Sequence, residues 1–393
     1  MELKNNTFYL VTVLVLLAFT VFPMMKGISP TGIVIPRVLI LVLSAIYVVD
    51  CFGTKSMIWL YLFFLITLFF HWNSDFATVV GVFMEFSIPF ILSDYLIKTQ
   101  NQKERRIFFL FSMSIIIITI ITSTIALLFV DPDAIRRMVE FSNYNQMDMT
   151  RRYHMIGVCD YDFAAMCMCV PVVFIYLYKT TSLFRTRILL TFVILLSLFF
   201  MFKANVTTTL IICVFITVCA LIIRPFSSRF GNVFLLSMGF VLLLSIDVLE
   251  IYDVIAPYLV DTGMEFRIGG LMGQEDNSDW ETRIGLYQTS WEVFKNNILI
   301  GSTEDVIGGH SYFIDRLAMY GIIGIVPFAA MILTQYKRVV SQLNKYQAII
   351  YKLCWVGLIV LGFLKNMSGI CYWLFIFVLI PAILLYNGKT PRN

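Results

Sequence analysis

Arg283 and His310 are the residues of this sequence whose types and positions best suit chemistry. Arg283 lies at the start of a predicted helix, and a guanidinium group can bind an oxyanion through two parallel hydrogen bonds. His310 begins an apolar segment, where the positive end of the helix dipole favours a neutral imidazole that can act as a general base. Structural roles explain both residues too, since Asp279 and Glu281 can pair with Arg283 and a histidine at a helix start can simply form hydrogen bonds.

Two double-arginine steps, Arg136-Arg137 and Arg151-Arg152, lie within residues 131–157. Arginine clusters suit an anionic ligand because the planar guanidinium can bind phosphate. A solvated segment, in which these arginines pair with nearby acidic residues, explains the pattern equally well. Both interpretations stay open.

Two Asp-x-Asp triplets are present, one at Asp131 and Asp133 and the other at Asp160 and Asp162. Such pairs can hold a divalent metal on a sugar-phosphate donor. A proline turn explains the first triplet, and the preference of carboxylates for the first turn of a helix explains the second. Metal binding is therefore the weaker interpretation.

The elements that hold these residues are predicted to be membrane-spanning helices. Of the 393 residues, 59% are hydrophobic and 14% are charged, whereas soluble domains have about a quarter charged. The chain cannot cover itself with polar surface, and apolar runs of about 20 residues indicate transmembrane helices. We predict an all-α polytopic membrane protein with twelve spans: 8–24, 33–50, 57–72, 76–97, 107–130, 158–178, 188–202, 206–223, 231–250, 311–333, 350–364 and 369–387.

The distribution of basic residues indicates the topology. Cytoplasmic loops collect lysine and arginine, and most of the 29 basic residues fall in cytoplasmic segments if both termini are cytoplasmic. The short outer turns hold few of them: Lys26, Arg37, Lys203 and Lys365. This bias accounts for the net charge of +4, so no nucleic-acid partner is implied. The first apolar run lacks a cleavage site and is predicted to be a retained anchor.

The sequence predicts one integral membrane domain, 1–393, with two long extracytoplasmic loops, 131–157 and 251–310. The eight cysteines lack metal-binding spacing and are expected to be buried thiols. Glu85 is the carboxylate predicted to lie deepest in the membrane. Such a residue either serves function or forms a hydrogen bond between helices.

The second outer loop, 251–310, is too long for a simple connection and too aromatic to be disordered. Ser278 and Glu281 form a capping-box pattern. Apolar residues then recur at steps of four, three, four and three: Trp280, Ile284, Tyr287, Trp291 and Phe294. This spacing predicts an amphipathic helix about four turns long that ends before Gly301. We expect it to lie at the membrane interface, bordering a cavity or packing on the bundle.

The segment Trp280–Gly324 resembles the bacterial O-antigen polymerase and O-antigen ligase superfamily. Its parts T-R-I-G-L-Y-x-x-S-W-x-x-F-x-x-N-I-L-I-G and G-G-H-S-Y-F-I-D-R-L-A-M-Y-G-I-I-G are similar to an arginine-led helix with a glycine turn, followed by a histidine-headed helix. The first motif is matched by Arg283 and Gly301. The second is matched by His310, Leu317, Gly321 and Gly324. Outside this segment only the layout of spans and the late outer loop is similar.

The resemblance implies a membrane glycosyltransferase of the GT-C type that joins glycans carried on undecaprenyl pyrophosphate. The reaction would build O-antigen, capsular or a related surface polysaccharide at the extracytoplasmic face of the bacterial inner membrane. Donor and acceptor would both be lipid-linked glycans in the bilayer, and a chain-length regulator protein is a candidate partner.

The resemblance also implies roles for individual residues. His310 would withdraw the proton from the attacking hydroxyl, and Arg283 would stabilise the leaving pyrophosphate in an inverting displacement. Further candidates for binding the pyrophosphate or glycan are Arg267, Arg151, Arg152 and Lys203. No metal or other cofactor is expected, because guanidinium groups can supply the positive charge.

The sequence departs from the family at two places. Many members have a Ser-Arg or Ser-Lys step before the eighth span, where this chain has Lys203-Ala-Asn-Val-Thr, so Lys203 either supplies that charge or the role is absent. The usual proline of the first motif is replaced by Asn297 or Ile298. Because the Ser-Arg step is altered, we favour a polymerase over a ligase, which uses the same donor but transfers to a lipid A-core sugar.

Two further alternatives stay open. A polymerising glycosyltransferase of the peptidoglycan type also has a late outer loop. A lipid-linked glycan flippase or transporter is the alternative of another class, but such proteins usually contain paired repeats and place charges near the bilayer midplane.

Overall fold

The computed structural model of the chain describes residues 7–28, 34–70, 76–143, 147–204, 206–223, 279–302 and 307–386. All regular structure in these ranges is helical, as the composition predicts. The first helices are α1 (Thr7–Val21), α2 (Pro23–Ile28), α3 (Val34–Tyr47), α4 (Lys55–Phe70), α5 (Phe76–Lys98), α6 (Gln102–Phe129), α7 (Ala134–Asn143) and α8 (Met147–Met155). The others are α9 (Tyr161–Met166), α10 (Val170–Thr180), α11 (Phe184–Lys203), α12 (Thr207–Ile222), α13 (Asp279–Asn296), α14 (Tyr312–Gln342), α15 (Lys345–Leu364), α16 (Ile370–Leu374) and α17 (Ile380–Leu385).

Among the described residues, six segments are long and apolar enough to cross a bilayer: Val79–Lys98, Gln102–Phe129, Tyr161–Thr180, Phe184–Lys203, Tyr312–Gln342 and Lys345–Leu364. Shorter apolar helices accompany them. Each predicted span overlaps one of these segments except 231–250, which lies outside the described residues. The chain is thus a helical, membrane-embedded protein, and the total of twelve crossings stays a prediction.

Two segments form the centre of the bundle because they are buried around their whole circumference. In α5 every side chain of residues 84–96 is buried, and Ile370–Leu385 is buried throughout. Aromatic rings fill the space between them, with the ring centroids of Phe86 and Trp373 4.7 Å apart. A helix that is apolar on all sides belongs inside a bundle. The eight cysteines are free, buried thiols, which confirms the expectation from their spacing.

The first predicted outer loop, 131–157, contains α7 and α8, and α8 packs closely on α2. A Cβ on Gly27 would lie 2.7 Å from the backbone nitrogen of Met155. Arg151 strengthens the contact, because its Nε donates to the carbonyl of Gly27 at 2.7 Å. Arg137 lies 3.4 Å from Asp131. One arginine of each double step therefore has a structural contact within or next to this loop.

Candidate functional site

Ser290 of α13 and Asp315 of α14 join the two parts of the Trp280–Gly324 segment. Both side chains are buried, and Ser290 Oγ donates to Asp315 Oδ1 at 2.6 Å. The same hydroxyl accepts a hydrogen bond from the nitrogen of Gly308 at 2.9 Å, and Asp315 Oδ2 accepts one from the nitrogen of Ser311 at 3.1 Å. The pair thereby holds the backbone on both sides of His310.

The turn after α13 is anchored on α14 where the latter departs from helical geometry at Gly321. The nitrogens of Ile322 and Ile323 donate to the carbonyls of residues 298 and 299 at 2.9 and 3.0 Å. Gly321 has a φ of +54°, and Gly301 in the turn has a φ of +78°. These left-handed values favour glycine, which explains two of the glycines in the matched motifs.

Arg283 and His310 occupy neighbouring parts of this arrangement. Arg283 lies in α13 one turn before Leu286, and a Cβ on Gly308 would overlap the backbone of Leu286. His310, two residues later, is half-buried and interacts electrostatically with Asp315. The side chain of Arg283 lies outside the described part of the structure. The backbone therefore brings the two predicted catalytic positions to one end of the α13–α14 pair.

The helix α13 forms where the sequence predicts it, but its packed face is shifted from the predicted aromatic stripe. Among its described side chains, Ser290 and Val293 are buried, whereas Trp291 is 46% exposed. Trp291 instead lies beside Phe294, with ring centroids 5.2 Å apart. The hydrogen bonds of Ser290 explain the shift, because they require that residue to face α14. Trp291 is thereby left exposed, while Tyr287 and Phe294 are half-buried.

A second group of charged residues is brought together from α2, α3, α5, α8, α9 and α14. We call it the charge cluster: Lys26, Arg37, Glu85, His154, Asp160, Asp162 and Arg316. Its members interact in a continuous series, from the pairing of Lys26 with Asp160 to the attraction between Glu85 and Arg316. Buried charges in a membrane protein are costly and by default mark a functional site.

Glu85 lies at the centre of this cluster. Its Oε1 accepts hydrogen bonds from the nitrogen of Gly369 at 3.1 Å and from Trp373 Nε1 at 2.9 Å. Arg316 and Arg37 are the cations within its electrostatic range. Two donors and two cations offset part of the cost of removing the carboxylate from water.

Arg316 is held by aromatic residues of its own helix. Its Nη1 donates to the hydroxyl of Tyr320 at 3.0 Å, and its guanidinium lies 4.9 Å from the ring centroid of Tyr312. Arg37 is half-buried, and its enclosed Nε has no hydrogen-bond partner among the described residues. Two guanidinium groups of the described part of the chain therefore act on the buried Glu85.

Asp160 immediately precedes the apolar segment Tyr161–Thr180 and contacts two basic side chains. Lys26 Nζ forms an ion pair with Asp160 Oδ2, and His154 Nε2 lies 2.5 Å from Oδ1. Burial alone would raise the pKa of Asp160, but Lys26 and His154 outweigh it and hold that pKa well below its usual range. Burial acts to lower the pKa of Lys26, but Asp160 and the other nearby acidic groups, among them Asp162, together raise that pKa. Both partners are therefore charged at neutral pH.

Asp162 extends the cluster toward the C-terminal helix. One of its carboxylate oxygens occupies the place where a Cβ of Gly369 would lie, and Tyr372 approaches it from α16. The second Asp-x-Asp triplet thus belongs to a network of ion pairs and hydrogen bonds. Within the described ranges, no group of three or more His, Cys, Asp or Glu side chains is arranged to hold a metal ion.

The other predicted site residues lie in several places. Arg267 is outside the described residues. Arg151 is bonded to Gly27, next to Lys26 of the charge cluster, and Arg152 is exposed beside it on α8. Lys203 is half-buried at the end of α11. The structure thus associates Arg151 with the charge cluster.

Sequence reasoning did not single out Ser290, Asp315 or Arg316 as site residues. Ser290 carries no local signal, since its partners lie 18 and 25 residues further along the chain. The step Asp315-Arg316 does carry a local signal, because adjacent opposite charges inside an apolar segment require partners within a membrane protein.

The fold and site define a coarse class: a membrane-embedded helical protein with charged residues buried in its bundle. No known protein-family model matches the chain, and no curated protein is significantly similar to it in sequence. The resemblance to the O-antigen polymerase and ligase superfamily therefore rests on the Trp280–Gly324 motifs.

Proposed function

We propose that the chain is a glycosyltransferase that polymerises oligosaccharide repeat units carried on undecaprenyl pyrophosphate. The observation that carries the proposal is the joining of α13 to the histidine-headed α14, which unites the two halves of the matched motif. Ser290 and Asp315 join them at one point, and Gly301 and Gly321 at another. This contact provides a physical reason for the spacing between the two halves of the motif.

The proposed reaction is a single displacement. The acceptor hydroxyl oxygen bonds to the anomeric carbon of the donor sugar, and its proton passes to the imidazole of His310. The bond from that carbon to the pyrophosphate oxygen breaks, and the configuration inverts. Arg283 stabilises the charge that develops on the leaving pyrophosphate. Ser290 and Asp315 position His310, since a small misplacement of a catalytic group is costly.

The exposed apolar residues around α13 support a site at the membrane interface. Trp291, Ile298 and Leu299 are exposed, and Leu299 is 62% exposed. An aromatic helix of this kind suits the boundary where a lipid-linked glycan leaves the bilayer. In the proposal this boundary is the extracytoplasmic face of the bacterial inner membrane, and both termini are cytoplasmic.

Further groups complete the proposed site and its partners. The residues proposed to bind pyrophosphate or glycan besides Arg283 are Arg267, Arg151, Arg152 and Lys203. No cofactor takes part in the proposed reaction. A chain-length regulator protein is a candidate partner.

A flippase or transporter of lipid-linked glycans is the second candidate, and the charge cluster favours it. Glu85 and Arg316 are buried inside helices, and charged residues in such positions often mark a path for a polar substrate. A ligase that transfers the same glycan to a lipid A-core acceptor is the close enzymatic alternative, because it would use the same Arg283 and His310.

One reconstitution separates these functions. The purified full chain is placed in lipid vesicles with undecaprenyl-pyrophosphate-linked repeat units, and the glycans are resolved by size. A polymerase produces a ladder of longer glycans, a ligase extends only an added lipid A-core acceptor, and a flippase moves the lipid across the bilayer without a new bond. No ladder from the unaltered protein would contradict the polymerase proposal.

A further inference from the structure

Helices α1 and α6 leave an open groove of ≈ 470 Å³ between them. One wall runs from Val11 to Met25 and the other from Ile107 to Ile118. At 1.5 Å per residue the longer wall extends about 20 Å, which is a large part of the ~30 Å hydrocarbon thickness. All lining residues except Ser114 are apolar. The volume lies within the range of small-molecule sites, about 300–1,000 Å³.

At one end of this groove the chain continues into Lys26, which is not one of the lining residues. Met25, the last lining residue on that side, is followed directly by Lys26, which belongs to the charge cluster. Arg151 is bonded through its Nε to the carbonyl of Gly27, and Arg152 is exposed next to it. Basic groups next to an apolar site between transmembrane helices suit an anionic lipid head. The groove and its basic end therefore match an amphiphile with one long chain and a phosphate.

We propose that the α1–α6 groove binds the isoprenoid chain of a polyprenyl phosphate or pyrophosphate lipid, with its phosphate at Lys26 and Arg151. The inference rests on the proposed function, because a polymerase joins two lipid-linked glycans and must hold two lipid carriers at once. The α13–α14 segment serves one carrier, and the groove serves the other. A single channel between two helices suits one chain better than the two chains of a phospholipid.

The charge cluster connects the groove with α14. Lys26 at the basic end pairs with Asp160, and Asp162 lies two residues further along the chain. Asp162 interacts with Glu85, which in turn attracts Arg316 on α14. The phosphate of a lipid in the groove would thus adjoin a polar path that leads to the helix headed by His310.

Photolabelling of the full chain in nanodiscs tests the groove. The probe is a polyprenyl phosphate with a diazirine in its chain, and labelled peptides are mapped by mass spectrometry. Leu110→Trp and Ser114→Trp place a large ring in the groove from exposed positions, so neither disturbs the buried core. Leu128→Trp is the matched control on the same helix, since Leu128 is 44% exposed and does not line the groove.

The expected result is label on α1 and α6 that falls at least about tenfold in both groove variants and stays unchanged in the control, a tenfold change being ~1.4 kcal/mol. Unlabelled polyprenyl phosphate should compete, and polyprenol or a diacyl phosphatidylglycerol should compete far less. Equal competition by phosphatidylglycerol, or label that neither groove variant reduces, would overturn the proposal. Photolabelling does not require glycan synthesis, so the two proposals can fail separately. Groove labelling without a glycan ladder contradicts only the proposed function. A ladder without groove labelling contradicts only the groove.

Discussion

Gly301 and Gly321 meet backbone to backbone. A Cβ on Gly301 would lie 2.5 Å from the nitrogen of Gly321, and a Cβ on Gly321 would lie 2.6 Å from the nitrogen of Gly301. Both residues also have left-handed φ values. The contact holds the turn after α13 against α14 at the point where α14 departs from helical geometry. It is one of the close backbone contacts that link the two halves of the segment proposed to carry the chemistry.

Replacing either glycine by alanine should destabilise the protein and weaken glycan synthesis. A backbone conformation with positive φ alone costs about 1–3 kcal/mol for a residue with a Cβ. The new methyl group also meets backbone atoms, which cannot move aside as a flexible side chain can. We therefore expect Gly301→Ala and Gly321→Ala each to lose more than this amount in the free energy of unfolding, followed by tryptophan fluorescence in detergent.

Two other glycines provide matched controls. Gly309 has a φ of +71° and no neighbour among the described residues within 4 Å of a built Cβ, so Gly309→Ala measures the conformational cost. Gly285 lies in α13, also with no described residue within 4 Å of a built Cβ, and Gly285→Ala should stabilise that helix by up to about 1 kcal/mol. Equal losses in Gly301→Ala and Gly309→Ala would show that the close approach contributes nothing.

The elements with strong local signals could be predicted from the sequence. Long apolar runs located the helices of the bundle, and the capping pattern and aromatic spacing located α13. The face of α13 that packs on α14 could not be predicted, because the aromatic spacing indicates which apolar residues share a face and not what that face contacts. Ser290 lies on the packed face, since its hydroxyl is bonded to Asp315 and to the backbone of Gly308.

The charge cluster could not be predicted for a different reason. Lys26, Glu85, Asp160 and Arg316 come from four separate segments, and no periodicity within one segment relates them. Each has a local explanation, such as an outer turn or a helix start. Only the packing of the helices brings the charges together, so their pairing is a property of the tertiary structure.

The hydroxyl of Ser290 is predicted to position His310. Ser290→Ala removes the hydroxyl that donates to buried Asp315 and accepts from the nitrogen of Gly308. Leaving such a group unsatisfied costs about 1–3 kcal/mol. We expect a lower kcat with little change in KM, because the base would be misplaced while the lipid sites remain. Thr289→Ala is the control, since within the described ranges the Thr289 hydroxyl donates to the carbonyl of Gly285 in its own helix at 3.0 Å. Similar kinetic losses in both variants would argue against a positioning role.

The roles proposed for Arg283 and His310 predict different kinetic losses. His310→Gln should lower the rate of glycan extension by about 10²–10⁴-fold, the usual contribution of a general base. Arg283→Gln should lower kcat by roughly 10²–10³-fold, and Arg283→Lys should lose less, because lysine keeps the charge without the planar fork. Lys295→Gln removes an exposed charge from the last turn of the same helix and should act like the unaltered chain. Near-normal extension by His310→Gln would remove only the base assignment.

The pair formed by Lys26 and Asp160 should couple strongly in a double-mutant cycle. Lys26→Met leaves a largely buried carboxylate with His154 alone, and breaking a buried ion pair costs on the order of 3 kcal/mol. The cost should be at the low end of what a buried pair shows, because the Asp160 side chain is 29% exposed. Lys26→Met combined with Asp160→Asn should lose much less than the sum of the two single changes. Additive losses would show that the two side chains do not depend on each other.

The same pair predicts the direction of the pH dependence. The pKa of Asp160 is lower in the folded protein than in the unfolded chain, so its contribution to stability is complete above the unfolded value of about 3.9 and is lost as pH falls below it. The pKa of Lys26 is raised, so its contribution is complete below the unfolded value of about 10.4 and is lost as pH rises above it. This pair should therefore keep Tm nearly constant from about pH 5 to pH 9, and Tm should fall at lower and at higher pH. The Tm of the double variant Lys26→Met, Asp160→Asn should fall less steeply at low and at high pH. A parallel fall of Tm in the variant and the unaltered protein would assign the pH dependence to other groups.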